Sequence, residues 1–547
     1  MLIEPDGLGP AHRLAAAVER AAAGRDAPVG VDEVVVGAEG VLVHLAAGGA
    51  GPDIAVPWLR RVVEAERGRP DAPGAGSGRV VDLPVVFDGP DLQRVADAAG
   101  LGVAAVVGLV THSTLEVAFL GFSPGFPYLV GLPAALAGVG RLATPRTSVP
   151  AGSVAVAGGF AAVYPQSTPG GWHLLGRTPV ALFDPERPPY ALLAPGDRVR
   201  FTEVGPTGPR SAASRAAVTP AAPPPARVPD PAPGWVDVVR PGLLSLVQDG
   251  GRAGLGRVGV PRAGPADPEA MTLANRLVGN ADHDAALEVT GSGPALRFGV
   301  AAHCAVVGAG PGAVEVTVDG HPVPDGAVVP VDAGQVLEVG TVRAGLRAYL
   351  AVGGGLDTPL TVGSRSTDLL SGLGPGPLAA GDRLRLGRPG RPHGLLVPAP
   401  EGSEPPPGVL RILAGPHDLG PPALEHLVGT RWTVDPRSNR IGLRLAGPPV
   451  PGAAAVAVPS TGMVTGAVQV PPDGHPIVLM PDHATVGGYP VVGCVIAADL
   501  GALGRLGPGD TVAFTEVDLP TALGLARLRE RVLASRVSGW FPTRTGT

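Results

Sequence analysis

The sequence predicts a mainly β protein built of several modules, with a small α+β domain at its N-terminus. Three observations carry that expectation. Gly (83) and Pro (65) punctuate short alternating apolar runs through 547 residues, as many short strands joined by turns require. Helical periodicity is confined to residues 11–22, 90–101, 269–278 and 520–534. Three pairs of segments also recur in one order: "VPAGS" at Val149 with "VPPDG" at Val470, "GGWHLLG" at Gly170 with "GGYPVVG" at Gly487, and "PGDRVRFTEV" at Pro195 with "PGDTVAFTEV" at Pro508. Their offsets, 321, 317 and 313, are too alike for chance Pro-Gly turns and predict two related β-domains, one ending near Val204 and one near Val517.

Along the chain, residues 1–78 hold one amphipathic helix and then "DEVVVGAEGVLVHL", read as two strands. Residues 79–205 are the first β-barrel domain. Residues 206–234, with "TPAAPPPARVPDPAP", are a Pro/Ala linker. Residues 235–390 form a β-module of their own, marked by the turn-then-strand segments "VDAGQVLEVG" and "LAAGDRLRLG". A shorter break covers 388–407, the second related barrel 408–520, and a C-terminal helix and tail 521–547, frayed from 535.

Composition narrows the function. A net charge of −6 speaks against nucleic acid as a partner. No apolar run approaches the ~20 residues of a membrane span, and the acidic N-terminus lacks a secretion signal, so a cytoplasmic protein is expected. Cys304 and Cys494 stand alone, and no HxH, HExxH or paired CxxC spacing appears, so no metal is expected. All 42 basic residues are arginine. Without lysine there is no Schiff base, no P-loop lysine and no amide-linked biotin on this chain.

Polar chemistry gathers in a few turns. "GFSPGFPYLVGLP", 121–133, places Phe122, Phe126 and Tyr128 among prolines and glycines, where they either wall a slot at a barrel mouth or plug the barrel end. The following stretch offers Arg146, Ser153, Tyr164, Gln166, Ser167, Thr168, His173, Arg177 and Thr178. An arginine can clamp a carboxylate or phosphate through two parallel hydrogen bonds, or form a structural ion pair. His173 can move a proton near neutral pH, or be a half-buried strand residue. Residues 247–280 carry Gln248, Asp249, Arg252, Asp267, Asn275 and Asn280. Asp267 before Pro268 reads as a helix N-cap. The two asparagines count because the chain has only three. Glu288 sits in "ALEVT" at a strand position. "GGGLDTP" and "GSRSTD" can form a nest of backbone N–H groups for an anion. Residues 468–490 supply Gln469, Asp473, Asp482, His483 and Tyr489; the two aspartates are an acid/base pair or turn residues. The catalytic candidates are therefore His173, Arg177, Asp249 and Asp482. The substrate-binding candidates are Phe122, Phe126, Tyr128, Arg146, Ser153, Gln166, Gln248, Arg252, Asn275, Gln469 and Tyr489.

Two sets of these segments resemble known families. "GFSPGFPYLVGLP", "RLATPR", "VPAGSV" and "YPQSTPGGWHLLGRTP" are similar to the allophanate hydrolase subunit 1 type, also called the B-type subunit of 5-oxoprolinase or KipI-like. "PGLLSLVQDGGRAGLGRVGVPRAGPAD", "ANRLVGN", "GSRST" and "GAVQVPPDGHPIVLMPDHATVGGYP" resemble the allophanate hydrolase subunit 2 type, the C-type subunit of 5-oxoprolinase, KipA-like. Together they cover residues 82–514 in one fused chain. The resemblance implies tandem cyclophilin-like β-barrels, a module shared with the carboxyltransferase part of urea carboxylase. The chain departs from the family pattern at Val110, at His475 and in "DHATVGGYP". The implied activity is ATP-dependent hydrolysis of 5-oxo-L-proline to L-glutamate with a separate A-type subunit, ATP being handled together with that partner. One alternative is carboxyltransfer from a carboxybiotin on a separate carrier to a urea-like amide. Another is a KipI/KipA-like regulator of a sensor histidine kinase. A lactam or amide is the expected small-molecule substrate, and a homo-oligomer is compatible with the sequence.

Overall fold

The computed structural model describes the chain except residues 6, 25–26, 28–29, 46–50, 68–77, 206–233, 398–399, 401–403, 457 and 541–547. The Pro/Ala linker read from the sequence lies almost wholly outside the described residues. At the N-terminus, strands Leu2–Ile3, Val41–Leu45 and Val31–Val36 form a three-stranded antiparallel sheet. Helices Leu8–Ala22 and Pro52–Glu66 pack together, and the first also packs on this sheet.

The internal repeat is a repeat of topology. The first seven-stranded sheet runs, in space, His173–Arg177, Ser153–Ala157, Phe160–Val163, Pro127–Val130, Leu115–Leu120, Arg198–Glu203, Val80–Val85. The second runs Val491–Val495, Ala467–Gln469, Ile477–Leu479, Gly442–Ala446, Arg431–Val434, Thr511–Glu516, Val409–Ala414. In each, the last two strands are parallel and the other neighbours antiparallel. The second closes as a barrel when Val409–Ala414 pairs with Val491–Val495. The first closes through one bridge, in which Val86 and Arg177 exchange backbone hydrogen bonds of 2.9 Å in both directions. The two "FTEV" segments end the equivalent strands Arg198–Glu203 and Thr511–Glu516, each entered through a Pro-Gly-Asp turn.

Between the barrels in sequence lies a two-sheet module, one sheet of six strands and one of five, around a Val/Leu-rich core. Helix Pro268–Leu277 covers the outer face of the five-stranded sheet at Arg347–Val352 and Ala302–Val307.

The four expected helices are present, as Leu8–Ala22, Leu92–Ala99, Pro268–Leu277 and Leu519–Ser535. They are not the only ones. Pro52–Glu66 carries Pro52 in its first turn and Pro57 inside it, and two prolines in one window argue against helix in sequence. Val103–His112 is an apolar, valine-rich stretch whose period does not separate helix from strand. It is helical because Val106, Val107 and Val110 pack with Leu92 and Val95 against the first barrel. Pro421–Gly429 opens on two prolines, where a helix start tolerates them. The break and the tail also differ from expectation. Strand His393–Leu396, within the expected break, pairs with Val537–Trp540, within the expected frayed tail.

The aromatic loop has a third role that the sequence reading did not weigh. Adjacent residues on a strand face opposite sides of the sheet. Val154 and Val156 face one core with the helices Leu92–Ala99 and Val103–His112, while Ala155 and Ala157 face another. Phe126, Tyr128, Trp172 and Leu174 belong to the second face, which packs against Leu14, Val18, Trp58 and Leu59 of the N-terminal domain. The rings interlock edge to face, with Phe126 5.1 Å from Tyr164 and 5.7 Å from Trp172, and Tyr128 stacked 4.3 Å from Phe119. Phe122, half-buried, adds an edge contact of 5.2 Å to Phe126. These rings join the N-terminal domain to the first barrel. They neither line an open slot nor plug the barrel end.

Candidate active site between the halves

The site begins with one carboxylate that organises a loop. Strand Leu244–Gln248 ends at Gln248, and Asp249 opens the following turn. One oxygen of Asp249 accepts hydrogen bonds from Ser364 Oγ (2.5 Å), Ser366 Oγ (2.7 Å) and Gly251 N (2.9 Å); the other accepts from Arg365 N (2.6 Å). The anion cradled by the "GSRSTD" segment is therefore the chain's own Asp249. Arg252, buried, braces the same loop, with Nε donating to Thr361 O (3.1 Å) and Nη2 to Ser366 O (2.5 Å). Gln248 Nε2 donates to Thr367 O (2.9 Å). Asp368 Oδ1 accepts from Leu370 N (2.8 Å) and Ser371 N (3.1 Å).

Four buried polar atoms on this framework make no hydrogen bond: Arg252 Nη1, Gln248 Oε1, Arg365 Nε and Asp368 Oδ2. Buried polar groups are ordinarily paired, so this group of unpaired atoms, at the end of strand Leu244–Gln248, on the turn after it and on the 364–368 segment packed against them, marks a place built to meet something else. Burial, and next the nearby Asp482 carboxylate, push Asp368 up to about 6. Burial lowers Arg252 from its ordinary value, against the pull of Asp368, Asp249 and Asp482.

Behind this loop lies a buried charge network. Arg440 donates to both oxygens of Asp482 (2.8 and 3.0 Å), to Glu288 Oε1 (2.5 Å) and to Gly264 O (2.6 Å). Glu288 Oε2 accepts from Tyr349 OH (2.7 Å) and Ala266 N (2.8 Å). Burial opposes ionisation of Glu288, but Arg440 and Arg347 outweigh it and hold Glu288 below the ordinary carboxylate range. Asp482 Oδ2 also accepts from Leu369 N (3.1 Å), which ties the second barrel to the loop.

The first barrel and the N-terminal domain complete the junction. Gln166 Nε2 donates to Leu370 O (3.3 Å) across 204 residues of sequence. Gly125 N donates to Val258 O (2.8 Å). Tyr128, pushed up to about 12 by burial, has the Ser460 side chain of the second barrel and Arg141 close by, both lowering it against that push. A side chain at Gly121 would collide with Val486. From the N-terminal domain, Ala38 N donates to Ser460 O (2.6 Å), Glu33 accepts from Gly256 N (2.5 Å), and Asp32 pairs with Arg262 (3.0 Å).

Other expected site residues lie elsewhere. His173, between Trp172 and Leu174, points to the opposite face from the aromatic cluster, toward Asp91. Burial lowers its pKa, and its Nδ1 is unpaired. Arg146 pairs with Asp91 at 2.7 Å. Arg177 is 61 % exposed, pairs with Asp88 at 3.0 Å, and lies four residues along the strand from His173, roughly 13 Å away at ordinary strand rise. Tyr128, His173 and Arg177 thus do not converge. Ser153 is buried opposite Arg177 in the sheet. Asn275 is a clip, with Nδ2 donating to Asp284 O (2.8 Å) and Oδ1 accepting from Asn280 Nδ2 (3.0 Å). Asn280 Oδ1 in turn accepts from Gly354 N (2.8 Å) of the "GGG" turn. Asp267 is the N-cap expected of it, accepting from Ala270 N at 3.1 Å. Gln469 is buried, with Nε2 3.5 Å from Tyr489 O, while Tyr489 itself is 39 % exposed.

Comparison with known proteins follows the same division into halves. Residues 4–193 match the family "carboxyltransferase domain, subdomain C and D", and residues 258–516 match "subdomain A and B". The C-type subunit of 5-oxoprolinase from Escherichia coli is 36 % identical over 302 residues, covering 54 % of this chain and 95 % of that protein. The chain belongs to the carboxyltransferase-domain family, as a fusion of the B and C types of 5-oxoprolinase subunit. The B half is 46 % identical over 129 residues to the B-type subunit of 5-oxoprolinase from Bacillus subtilis, which is 23 % of this chain and 53 % of that protein. The crystal structure of TTHA0988 superposes with a TM-score of 0.79 at 35 % identity, covering 94 % of this chain and 99 % of that one. The K. lactis urea amidolyase matches with a TM-score of 0.51 at 29 % identity, over 57 % of this chain and 20 % of that one.

In this fused protein, the C half supplies Gln248, Asp249, Arg252 and Asp482 to the junction, and the B half supplies Gln166 and Tyr128. Sequence reading placed all six among its candidates. It missed Arg440, Ser460 and Arg141, and it quoted Asp368 only as the end of "GSRSTD". Each lacks a local signal, because its partners come from distant parts of the chain. Arg440 and Glu288, for example, are 152 residues apart.

Proposed function

We propose that the chain combines the B and C parts of an ATP-dependent 5-oxoprolinase, opening 5-oxo-L-proline to L-glutamate together with a separate A-type subunit. The observation that carries this reading is the meeting of both halves, through Gln166 and Leu370, beside the buried Arg252 and Asp368 side chains. The B and C types, separate proteins in the relatives named above, are here one chain with one shared junction. Ring opening of an unstrained lactam needs an activated carbonyl. ATP phosphorylates the lactam oxygen and water adds to the carbon. The C–N bond then opens to the amine, and a second water releases phosphate. The partner is assigned the phosphoryl step. This chain has no lysine, and the donors of its "GSRSTD" segment, the Ser364 and Ser366 hydroxyls and Arg365 N, are already spent on the Asp249 carboxylate. The chain's share is to bind and orient the amide and to keep bulk water from the reacting carbon.

Purification with the A-type subunit and an assay for ATP-dependent glutamate release from 5-oxo-L-proline test this. Release that needs both proteins and ATP is expected; none with all components present rejects it. A second reading, carboxyltransfer to a urea-like amide, is favoured by the match to carboxyltransferase subdomains on both halves. It requires a biotin carrier on another chain, and it predicts that this protein consumes carboxybiotin in the presence of urea-like acceptors.

A further inference from the structure

We propose that Arg252 and Asp368 form a recognition pocket for a cis-amide, in which Arg252 Nη1 donates to the carbonyl oxygen and Asp368 Oδ2 accepts the amide N–H. The inference rests on the reading that the junction acts on an amide, and it names the atoms that hold the group.

The pocket has a built frame and an unspent donor and acceptor. Arg252 is fixed by two hydrogen bonds to Thr361 and Ser366 carbonyls, so Nη1 is the part of the guanidinium left over. Asp368 is fixed through Oδ1 by two backbone N–H groups, with the Ser371 hydroxyl also beside the carboxylate, while Oδ2 makes no hydrogen bond. Gln248 is fixed through Nε2 on Thr367 O. Flipping its amide would set two oxygens against each other, so Oε1 is a true unpaired acceptor. Arg252 and Gln248 donate to the carbonyls of Ser366 and Thr367, the two residues before Asp368 in sequence. A cationic N–H beside two acceptors matches a carbonyl flanked by N–H groups. A lactam uses Arg252 and Asp368. A ureido group has a second N–H for Gln248. A carboxylate or phosphate has no N–H to offer and would face Asp368, with Asp482 behind it. Leu369, the next residue, is 41 % exposed, while Arg252, Asp368 and Gln248 are buried, so the proposed site lies close beneath the surface.

The full chain is titrated calorimetrically with 5-oxo-L-proline, 2-pyrrolidinone, 2-imidazolidinone and L-proline. The three amides are expected to bind competitively, and L-proline, which lacks the carbonyl next to nitrogen, is not. Tighter 5-oxo-L-proline than 2-imidazolidinone marks a lactam source, and the reverse marks a ureido source. Asp368→Asn keeps the Oδ1 bonds but turns a donor toward the amide N–H. It is expected to weaken amide binding about tenfold or more, and in the complete complex to raise KM by a similar factor. Arg252→Gln is expected to do the same. If it fails to fold, Asp368→Asn alone decides. Wild-type affinity in Asp368→Asn, or binding of L-proline equal to that of the amides, overturns the pocket. Glutamate release with an unchanged KM in Asp368→Asn overturns the pocket and leaves the oxoprolinase reading standing. Amide binding lost in Asp368→Asn, without glutamate release by the wild-type complex, supports the pocket and removes that reading.

Discussion

Asp368 is an acid whose surroundings disfavour its charge. Its folded pKa of about 6 lies above the ordinary aspartate value of 3.8. The folded state therefore holds the proton more tightly, and the group costs stability as pH rises from 3.8 through 6. The full difference is about 3 kcal/mol by the linkage of pKa to stability. Asp368→Asn removes that cost, so the variant should melt higher than wild type at about pH 7.5, with a smaller margin at about pH 4.5. Thermal melts at the two values check this, and a variant less stable than wild type at the higher pH contradicts it. Arg440 is the opposite case. It neutralises Glu288 and Asp482 in the interior, and Arg440→Met removes the ion-pair partner of Asp482 and leaves Glu288 with Arg347 at 3.5 Å. A loss of about 3–5 kcal/mol is expected from breaking such a buried pair, read by denaturant unfolding. Arg177 makes only an exposed pair with Asp88, so Arg177→Ala should stay within about 1 kcal/mol of wild type.

At the scale of elements, "GFSPGFPYLVGLP" serves the fold. Gly121 lets the loop approach Val486 of the second barrel. Phe126 and Tyr128 bind the N-terminal helices to the first barrel. Phe126→Ala should cost about 3–5 kcal/mol and should raise hydrogen exchange in helix Leu8–Ala22 before it does so in the second barrel. Equal exchange in both would place the ring in another role. The strands and four helices were legible because period and turn residues are local signals. Helix Pro52–Glu66 was hidden by its two prolines, and Val103–His112 by an apolar run without a period. The aromatic loop was legible as unusual. Its role was not, because the helices it packs against lie far earlier in the chain.

In the whole molecule, one topology used twice brings two sets of loops to a single junction. The repeat was readable because the Pro-Gly-Asp turn and the strand after it are kept in both copies. The meeting of Gln166 with Leu370, of Tyr128 with Ser460, and of Asp482 with Leu369 was not readable, since nothing local encodes which loops face each other. Two places compete for the amide chemistry: this junction, and the exposed strand end of the first barrel at Arg177. The junction sets an unpaired buried donor, Arg252 Nη1, and two unpaired acceptors, Gln248 Oε1 and Asp368 Oδ2, on one fixed frame. The strand of Arg177 offers only the buried His173 Nδ1. Steady-state glutamate release by the complex with an A-type subunit, compared for wild type, Asp368→Asn and Arg177→Ala, separates the two. Arg177→Ala should match wild type, while Asp368→Asn should show a KM raised about tenfold or more. Loss of activity in Arg177→Ala with wild-type kinetics in Asp368→Asn would contradict the junction as the site.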